Sequence, residues 1–129
     1  MDRMKQLEIY RDLIVKAPIV IRADGNNFHK LVLKCGFNKP FDRRFHIAMV
    51  ETGKEVMKKT GYMISLTYVF SDELNYLFLK DSHLPYNGRV EKILTIIASY
   101  TSSIFQKNLN KIEKYLDPIA FDARIVKLP

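Results

Sequence analysis

The chain is 129 residues long, which is room for one domain of ordinary size and excludes two. Its residues are 47% hydrophobic and 27% charged, so the composition excludes a disordered chain and predicts a packed core. An excess of 21 Lys and Arg over 14 Asp and Glu gives a net charge of +7. This charge favours a polyanionic partner such as nucleic acid, with a merely solvated basic face as the alternative.

The cysteine count and the apolar runs narrow the class of protein further. Cys35 is the single cysteine, so the chain forms no internal disulfide, and its three histidines show no zinc-ligand spacing. No apolar run reaches the ~18 residues that span a bilayer, and the N-terminus has no signal-peptide pattern. We therefore expect a cytoplasmic protein with no membrane partner.

The first half of the chain predicts a helix, a strand and a second helix. Apolar residues at helical spacing within residues 2–15 predict an amphipathic N-terminal helix: Met4, Leu7, Tyr10 and Ile14. The β-branched run Ile19-Val20-Ile21 stops at Asp24-Gly25-Asn26-Asn27, which predicts a buried strand and a tight loop. Residues 40–59 carry an apolar helical stripe, with Asp42 near its start and Gly61 just beyond its end.

The second half predicts a hairpin, a long helix and a last strand. Period-two alternation over residues 63–79 predicts two strands joined at Ser71-Asp72-Glu73. Residues 89–109 repeat apolar side chains every three to four positions, and residues 119–126 alternate again. Beyond the extra N-terminal helix, the order β-α-β-β-α-β predicts an α+β, ferredoxin-like domain whose antiparallel sheet carries its helices on one face.

Acidic residues follow the first strand and occupy the hairpin turn. Because these strands are neighbours in a sheet of this connectivity, we expect Asp24 to approach Asp72 and Glu73. Converging carboxylates favour a divalent cation, and two Mg²⁺ ions would suit phosphoryl or nucleotidyl transfer. Gly25 allows a close backbone approach, and the backbone N–H groups of residues 26–28 are candidate phosphate donors. The alternative is ordinary turn chemistry at both places.

The polar strings of the chain occur in a fixed order. They are Arg22-Ala23-Asp24-Gly25-Asn26-Asn27-Phe28-His29, Lys39-Pro40 with Asp42-Arg43-Arg44-Phe45, Ser71-Asp72-Glu73, Asn87-Gly88-Arg89 with Lys92, and Phe121-Asp122-Ala123-Arg124-Ile125-Val126. This series covers most of residues 18–129 and resembles the tRNA(His) guanylyltransferase family, which includes guanylyltransferase-like 3′–5′ polymerases. The R-x-D-G-x-x-F-H block paired with S-D-E is far more specific than either motif alone.

The resemblance implies a polymerase-palm catalytic domain over residues 1–129, with the C-terminal portion of the family absent from this chain. Such a domain is a Mg²⁺-dependent nucleotidyltransferase that adds GTP to the 5′ end of tRNA in the 3′–5′ direction. The reaction serves tRNA(His) guanylylation or the repair of tRNA 5′ ends, with two Mg²⁺ ions and with ATP as a second nucleotide. Family members form homodimers or homotetramers.

The resemblance also implies roles for individual residues. Asp24, Asp72 and Glu73 would be the catalytic acids. Asp24 and Asp72 would bind metal with the Gly25 carbonyl, and Glu73 would support the metal site. The nucleotide would contact Asp24, Gly25, Asn26, Asn27, Phe28, His29, Lys39, Ser71 and Asp72. The RNA would contact Arg89, Lys92 and Arg124, whose alternative is a solvated or ion-paired face.

Two other functions remain open on the sequence alone. One is another palm-type nucleotide-binding enzyme, such as a nucleotide cyclase, and the other is a non-catalytic RNA-binding module.

Overall fold

A computed structural model describes residues 2–129 and contains one four-stranded antiparallel sheet. The helices and strands are α1 (Asp2–Gln6), β1 (Ile19–Gly25), α2 (Phe28–Cys35), α3 (Arg43–Thr60), β2 (Leu66–Phe70), β3 (Glu73–Phe78), α4 (Val90–Asn110) and β4 (Phe121–Lys127). The strand order is β2-β3-β1-β4, and the core lies between the sheet and α2, α3 and α4. The predicted ferredoxin-like α+β fold is confirmed. No helix within residues 2–129 is long and apolar enough to cross a bilayer.

Helices α3 and α4 begin and end close to the predicted residues. Asp42 caps α3 by accepting a hydrogen bond from the Arg44 N–H at 2.9 Å, and Gly61 ends the helix with a φ of 66°. In α4 the predicted stripe is buried, with Ile93 and Ile97 fully inaccessible. Periodicity identifies both helices in the sequence, and in α3 the caps agree with it.

The predicted N-terminal helix over residues 2–15 is wrong beyond its first turn, since α1 ends at Gln6. The Val15 N–H donates to the Gly88 carbonyl and the Val90 N–H to the Leu13 carbonyl, and this pairing holds the chain extended. Within residues 2–129 the apolar stripe also has no surface to pack on, and Leu7 is 76% exposed. A helical stripe without a packing partner does not maintain a helix in water.

The sequence pattern does not predict helix α2, which the structure contains. It has only eight residues and buries Phe28, Leu31 and Cys35, and Gly36 ends it with a φ of 67°. Its N-cap, Asn27, is left-handed and accepts no capping hydrogen bond with its side chain, so the usual start signal is missing.

The hairpin places its two apolar sets on opposite faces of the sheet. Leu74, Tyr76 and Phe78 of β3 are fully buried beneath the helices. On β2, Tyr68 and Phe70 lie on the other face, where they are 49% and 67% exposed. The face away from the helices is therefore open in the described structure and carries exposed aromatic side chains.

Candidate active site

The acidic residues meet at one end of the sheet, as the sequence predicts. Asp24 lies opposite Glu73 in the register of β1 and β3. The Gly25 N–H donates to the Asp72 carbonyl at 3.0 Å, which ties the end of β1 to the hairpin turn. Ser71 makes the turn with a φ of 54°, and the turn directs Asp72 towards the end of β1.

Arg22 is paired with two of these carboxylates. Its Nη2 donates to Glu73 Oε1 at 2.6 Å, and its Nε lies 3.4 Å from Asp24 Oδ2. The charge of Asp24, followed by that of Glu73, raises the pKa of the Arg22 guanidinium. Arg22 follows the same face of β1 as Asp24, so this pairing follows from period-two geometry. Arg22 therefore holds two acids in place.

The third carboxylate carries an unfavourable charge. Burial first, and the neighbouring Asp24 and Glu73 second, raise the pKa of Asp72 above its ordinary value. Asp122 lies opposite Asp24 and pairs with Arg124, so four carboxylates and two guanidinium groups leave two net negative charges at this end of the sheet. One divalent cation neutralises that charge.

The residues present fit magnesium. Within residues 2–129, no three His, Cys, Asp or Glu side chains surround a common point, so a cage made of side chains alone does not form. Mg²⁺ usually binds one or two carboxylates together with substrate phosphates and water, and Asp24 and Asp72 supply that number. A bound cation would stabilise the charged form of Asp72.

Gly25 is required by its contact with Phe28. A Cβ at Gly25 would lie 2.5 Å from the Phe28 ring, which is closer than side chains approach one another. The ring is held by Phe105 at 5.5 Å and by Phe121 at 5.1 Å between centroids. This aromatic cluster fixes the loop after β1, and it gives a packing reason for glycine and phenylalanine three residues apart.

A cavity of about 680 Å³ opens beside the acids. Five predicted nucleotide-site residues line it: Phe28, His29, Lys39, Ser71 and Asp72. The structure thus brings together a lysine, a histidine and a carboxylate that come from three separate segments. A cavity of this size is in the range of small-molecule sites.

Asp42 fixes the loop that carries Lys39. Its carboxylate accepts hydrogen bonds from the Asn38 N–H at 2.9 Å and from the Arg44 guanidinium at 2.9 Å. Those donors hold the pKa of Asp42 well below its usual range, the Arg44 side chain being the largest cause. The loop that ends at α3 is therefore anchored at its base.

Three further residues line the same cavity and are not predicted from the sequence: Phe41, His46 and Phe70. Two of these residues adjoin the predicted motifs, since Phe41 lies between Pro40 and Asp42 and Phe70 directly precedes Ser71. Sequence alone does not reveal that both side chains are exposed.

Asn26 and Asn27 lie on another side of the loop. They line a separate cavity of about 450 Å³ with Tyr115 and Asp117. The Asn26 N–H donates to the Ala120 carbonyl at 2.9 Å, so this predicted phosphate donor already has a partner.

Of the basic residues predicted for RNA, Arg89 and Lys92 lie away from the acids, whereas Arg124 lies near them. Arg89 pairs with Ile14, which precedes the first residue of β1, whereas Asp24 lies near the last residue of that strand. The five residue-to-residue steps from Ile19 to Asp24 alone span about 17 Å. Arg89 and Lys92 line a cavity of about 490 Å³ that also includes Lys5. Arg124 lies opposite Arg22 in the sheet, and its Nε is 3.5 Å from Asp122.

Comparison with known proteins gives one consistent result. The model of the tRNAHis guanylyltransferase family matches residues 1–129. The tRNA(His) guanylyltransferase of Candida glabrata is 34% identical over 135 residues, which cover 99% of this chain and 56% of that protein. This chain spans about half the length of the curated relatives that it matches.

Solved structures agree with the sequence match. A bacterial tRNA(His) guanylyltransferase-like protein in complex with GTP is 30% identical, with a TM-score of 0.81 over 99% of this chain and 62% of the other. A second such structure, in complex with ATP, is 29% identical with a TM-score of 0.80 and covers 99% of this chain and 57% of the other. On its fold, its acidic strand ends and these matches, the chain belongs to the tRNAHis guanylyltransferase family.

Proposed function

We propose that this chain is the palm-like catalytic domain of a Mg²⁺-dependent nucleotidyltransferase that adds GTP to the 5′ end of tRNA in the 3′–5′ direction. The reaction would serve tRNA(His) guanylylation or the repair of tRNA 5′ ends. The observation that carries the proposal is the meeting of Asp24, Asp72 and Glu73 beside a cavity lined by Lys39. Membership of the family supports the choice of substrates.

The transfer step joins an incoming nucleotide to an RNA that bears a 5′-triphosphate. The 3′-hydroxyl of the nucleotide attacks the α-phosphorus, the bond to the β-phosphate breaks, and pyrophosphate leaves. The 5′-phosphate of a monophosphorylated RNA would first attack the α-phosphorus of ATP or GTP and release pyrophosphate, and the nucleoside monophosphate attached in this way would be the leaving group of the transfer step. The structures of relatives in complex with GTP and with ATP support both nucleotides.

The acids would hold the metal. Asp24, Asp72 and the Gly25 carbonyl would ligate two Mg²⁺ ions, which supply charge neutralisation and activation of the attacking oxygen when bound. Glu73 would support the site through Arg22, which it contacts at 2.6 Å. The two net negative charges of this cluster would balance one of these ions, and the triphosphate of the nucleotide would supply the charge that balances the other.

The cavity would hold the nucleoside triphosphate. Lys39 and His29 are both exposed at its edge and would contact the phosphates, with Ser71 as a hydrogen-bonding neighbour. The backbone of residues 26–28 would approach the nucleotide from the loop after β1. Because the Asn26 N–H already donates to the Ala120 carbonyl, the N–H groups of Asn27 and Phe28 are the better candidates for contacting the phosphates.

Arg89, Lys92 and Arg124 would contact the RNA backbone. The distance between the first two and the acids supports an extended contact of several nucleotides rather than a grip on the 5′ end alone. The net charge of +7 is consistent with a polyanionic partner. We place the reaction in the cytoplasm, in keeping with a chain that has one cysteine.

We also propose self-association as a homodimer or homotetramer. The segment before β1 leaves several large apolar side chains in water, among them Met4, Leu7, Ile9 and Tyr10. Such a patch favours a protein contact. Light scattering coupled to size-exclusion chromatography measures the mass; a monomer at tens of micromolar would contradict the proposal.

Identification of the product tests the reaction. The wild-type chain is incubated with labelled GTP and 5′-truncated tRNA, with Mg²⁺ or with EDTA. We expect label at the RNA 5′ end that depends on Mg²⁺. A cyclic nucleotide formed without RNA would instead identify a cyclase, and RNA binding that persists in EDTA without any transfer would identify a binding module.

A further inference from the structure

Two phenylalanines of this chain remain largely exposed to solvent, and both line the same cavity. Of the eight phenylalanines of the chain, Phe41 and Phe70 are 62% and 67% exposed, and the other six are buried or half-buried. They are 29 positions apart in the sequence, yet both contribute to the wall of the 680 Å³ cavity beside the acids. Exposed aromatic surface is costly in water, so two such rings at one cavity indicate a ligand that covers them.

Phe41 is held in its place before a ligand arrives. Its ring packs on His46 with 5.4 Å between centroids and an angle of 48° between planes. The next residue, Asp42, is bonded to the Asn38 N–H and to the Arg44 guanidinium. A ring on a fixed backbone loses little further entropy when a flat ligand stacks on it.

Phe70 contributes to the cavity wall from the end of β2, where it lies opposite Glu73 in the register of β2 and β3. It is the last residue of β2, and the turn residues Ser71 and Asp72 follow it directly. It therefore lies one residue from the polar part of the cavity, whereas Phe41 belongs to the loop that carries Lys39. Each aromatic ring is a near neighbour in sequence of a group proposed to contact the phosphates.

Near Phe41, the one carboxylate in the cavity wall is that of Asp42. The Asp42 side chain is only 4% exposed and already accepts its hydrogen bonds, so it has little capacity to read the edge of a base. Stacking depends on the area of the π-face and tolerates different edges. Purines present a larger face than pyrimidines do.

From this arrangement we infer that Phe41, supported by His46, and Phe70 are the base-stacking residues of this site and select a purine over a pyrimidine nucleoside triphosphate. The inference rests on the proposed nucleotide site and adds the residues that hold the base. Stacking makes the site permissive towards GTP and ATP and selective against CTP.

Binding measured by calorimetry without RNA tests the inference. The variants are Phe41→Leu, Phe70→Leu, the double variant and Phe41→Trp, and the control is Tyr68→Leu. Tyr68 is an exposed aromatic on the same strand and the same face as Phe70 and does not line the cavity. The probes are GTP, ATP, CTP and inorganic triphosphate, each with Mg²⁺.

We expect each leucine variant to weaken GTP and ATP binding by roughly fivefold to tenfold. Binding of inorganic triphosphate should not change, because it lacks a base. Phe41→Trp should keep GTP affinity, Tyr68→Leu should leave every affinity unchanged, and the wild-type chain should bind CTP more weakly than GTP. Melting temperatures should match the wild type, since the replaced side chains are exposed.

Several results would overturn the inference. Unchanged GTP affinity in both leucine variants would show that the rings do not hold the base, and equal losses for GTP and inorganic triphosphate would show a general disturbance. CTP binding as tight as GTP binding would refute purine selection. Wild-type protein that binds inorganic triphosphate but no nucleotide would refute the inference together with the proposed nucleotide site, whereas GTP binding without RNA transfer would refute only the proposed reaction.

Discussion

Replacing Gly25 by alanine tests how the loop after the first strand is held. The backbone of Gly25 lies outside the left-handed region, so alanine is acceptable to the main chain. The obstacle is the Phe28 ring, because three of its carbons would lie 2.5 to 2.7 Å from the new Cβ. The ring is confined in turn by Phe105 and Phe121.

The size of the effect follows from this contact. Carbon atoms pack at about 3.5 Å or more, so the ring must move by about 1 Å within a filled aromatic cluster. Overpacking of this kind costs about 1 to 3 kcal/mol. For a chain of this length, that free energy lowers the melting temperature by roughly 4 to 12 °C.

The Phe28→Ala background reverses the sign of the effect. With the ring removed, alanine at position 25 has free space and also restricts the unfolded chain, which stabilises the fold by about 0.4 to 1 kcal/mol. Urea unfolding of the wild type, the two single variants and the double variant measures the cycle. Trimethylamine oxide in every sample stabilises the fold, so that the less stable Phe28→Ala proteins remain folded without urea. Equal effects of Gly25→Ala in both backgrounds would refute the packing explanation.

Three further changes have distinct expected outcomes. Asp72→Asn should raise the melting temperature at neutral pH, because burial and its acidic neighbours raise the pKa of Asp72 and make its charge unfavourable. The gain should vanish as the pH falls below the ordinary aspartate pKa, where the carboxyl group is neutral in both the folded and the unfolded chain. A pH series of melting curves without Mg²⁺ measures this dependence. Phe105→Ala should lower the free energy of unfolding by about 3 to 5 kcal/mol, since the ring is fully buried; a loss below about 1 kcal/mol in urea unfolding would contradict that. Lys39→Gln should raise KM for GTP about tenfold in the transfer assay, whereas the exposed Lys59→Gln on α3 should not; equal values would remove Lys39 from the phosphate site.

The sequence predicts most of the sheet and the position of its acids. Alternating residues define β2 and β3, and an antiparallel register then brings the end of β1 next to the hairpin turn. Asp24 and Glu73 are opposite each other for this reason alone. The two long helices follow in the same way from their stripes, and in α3 from the cap at Asp42.

Most of the features that the sequence does not predict depend on contacts between distant parts of the chain. The stripe of residues 2–15 is a sound helical pattern, but backbone pairing with residues 88–90 and the absence of a packing surface within the described structure limit the helix to one turn. Helix α2 is short and lacks a side-chain cap. The exposure of Phe41 and Phe70 depends on how α3 meets β2, which no local pattern contains.

The most direct test of the account compares single acids in one transfer assay. Wild-type, Asp24→Ala, Asp72→Ala and Glu51→Ala proteins are incubated with labelled GTP, tRNA and Mg²⁺, and their folding is verified by melting curves. Glu51 is an exposed acid of α3 that lies 3.5 Å from Lys54, so it controls for the loss of a charge. We predict that the first two variants lose transfer by at least about 100-fold while remaining folded, and that Glu51→Ala matches the wild type. Undiminished transfer by a folded Asp24→Ala or Asp72→Ala protein would contradict the assignment of the catalytic site.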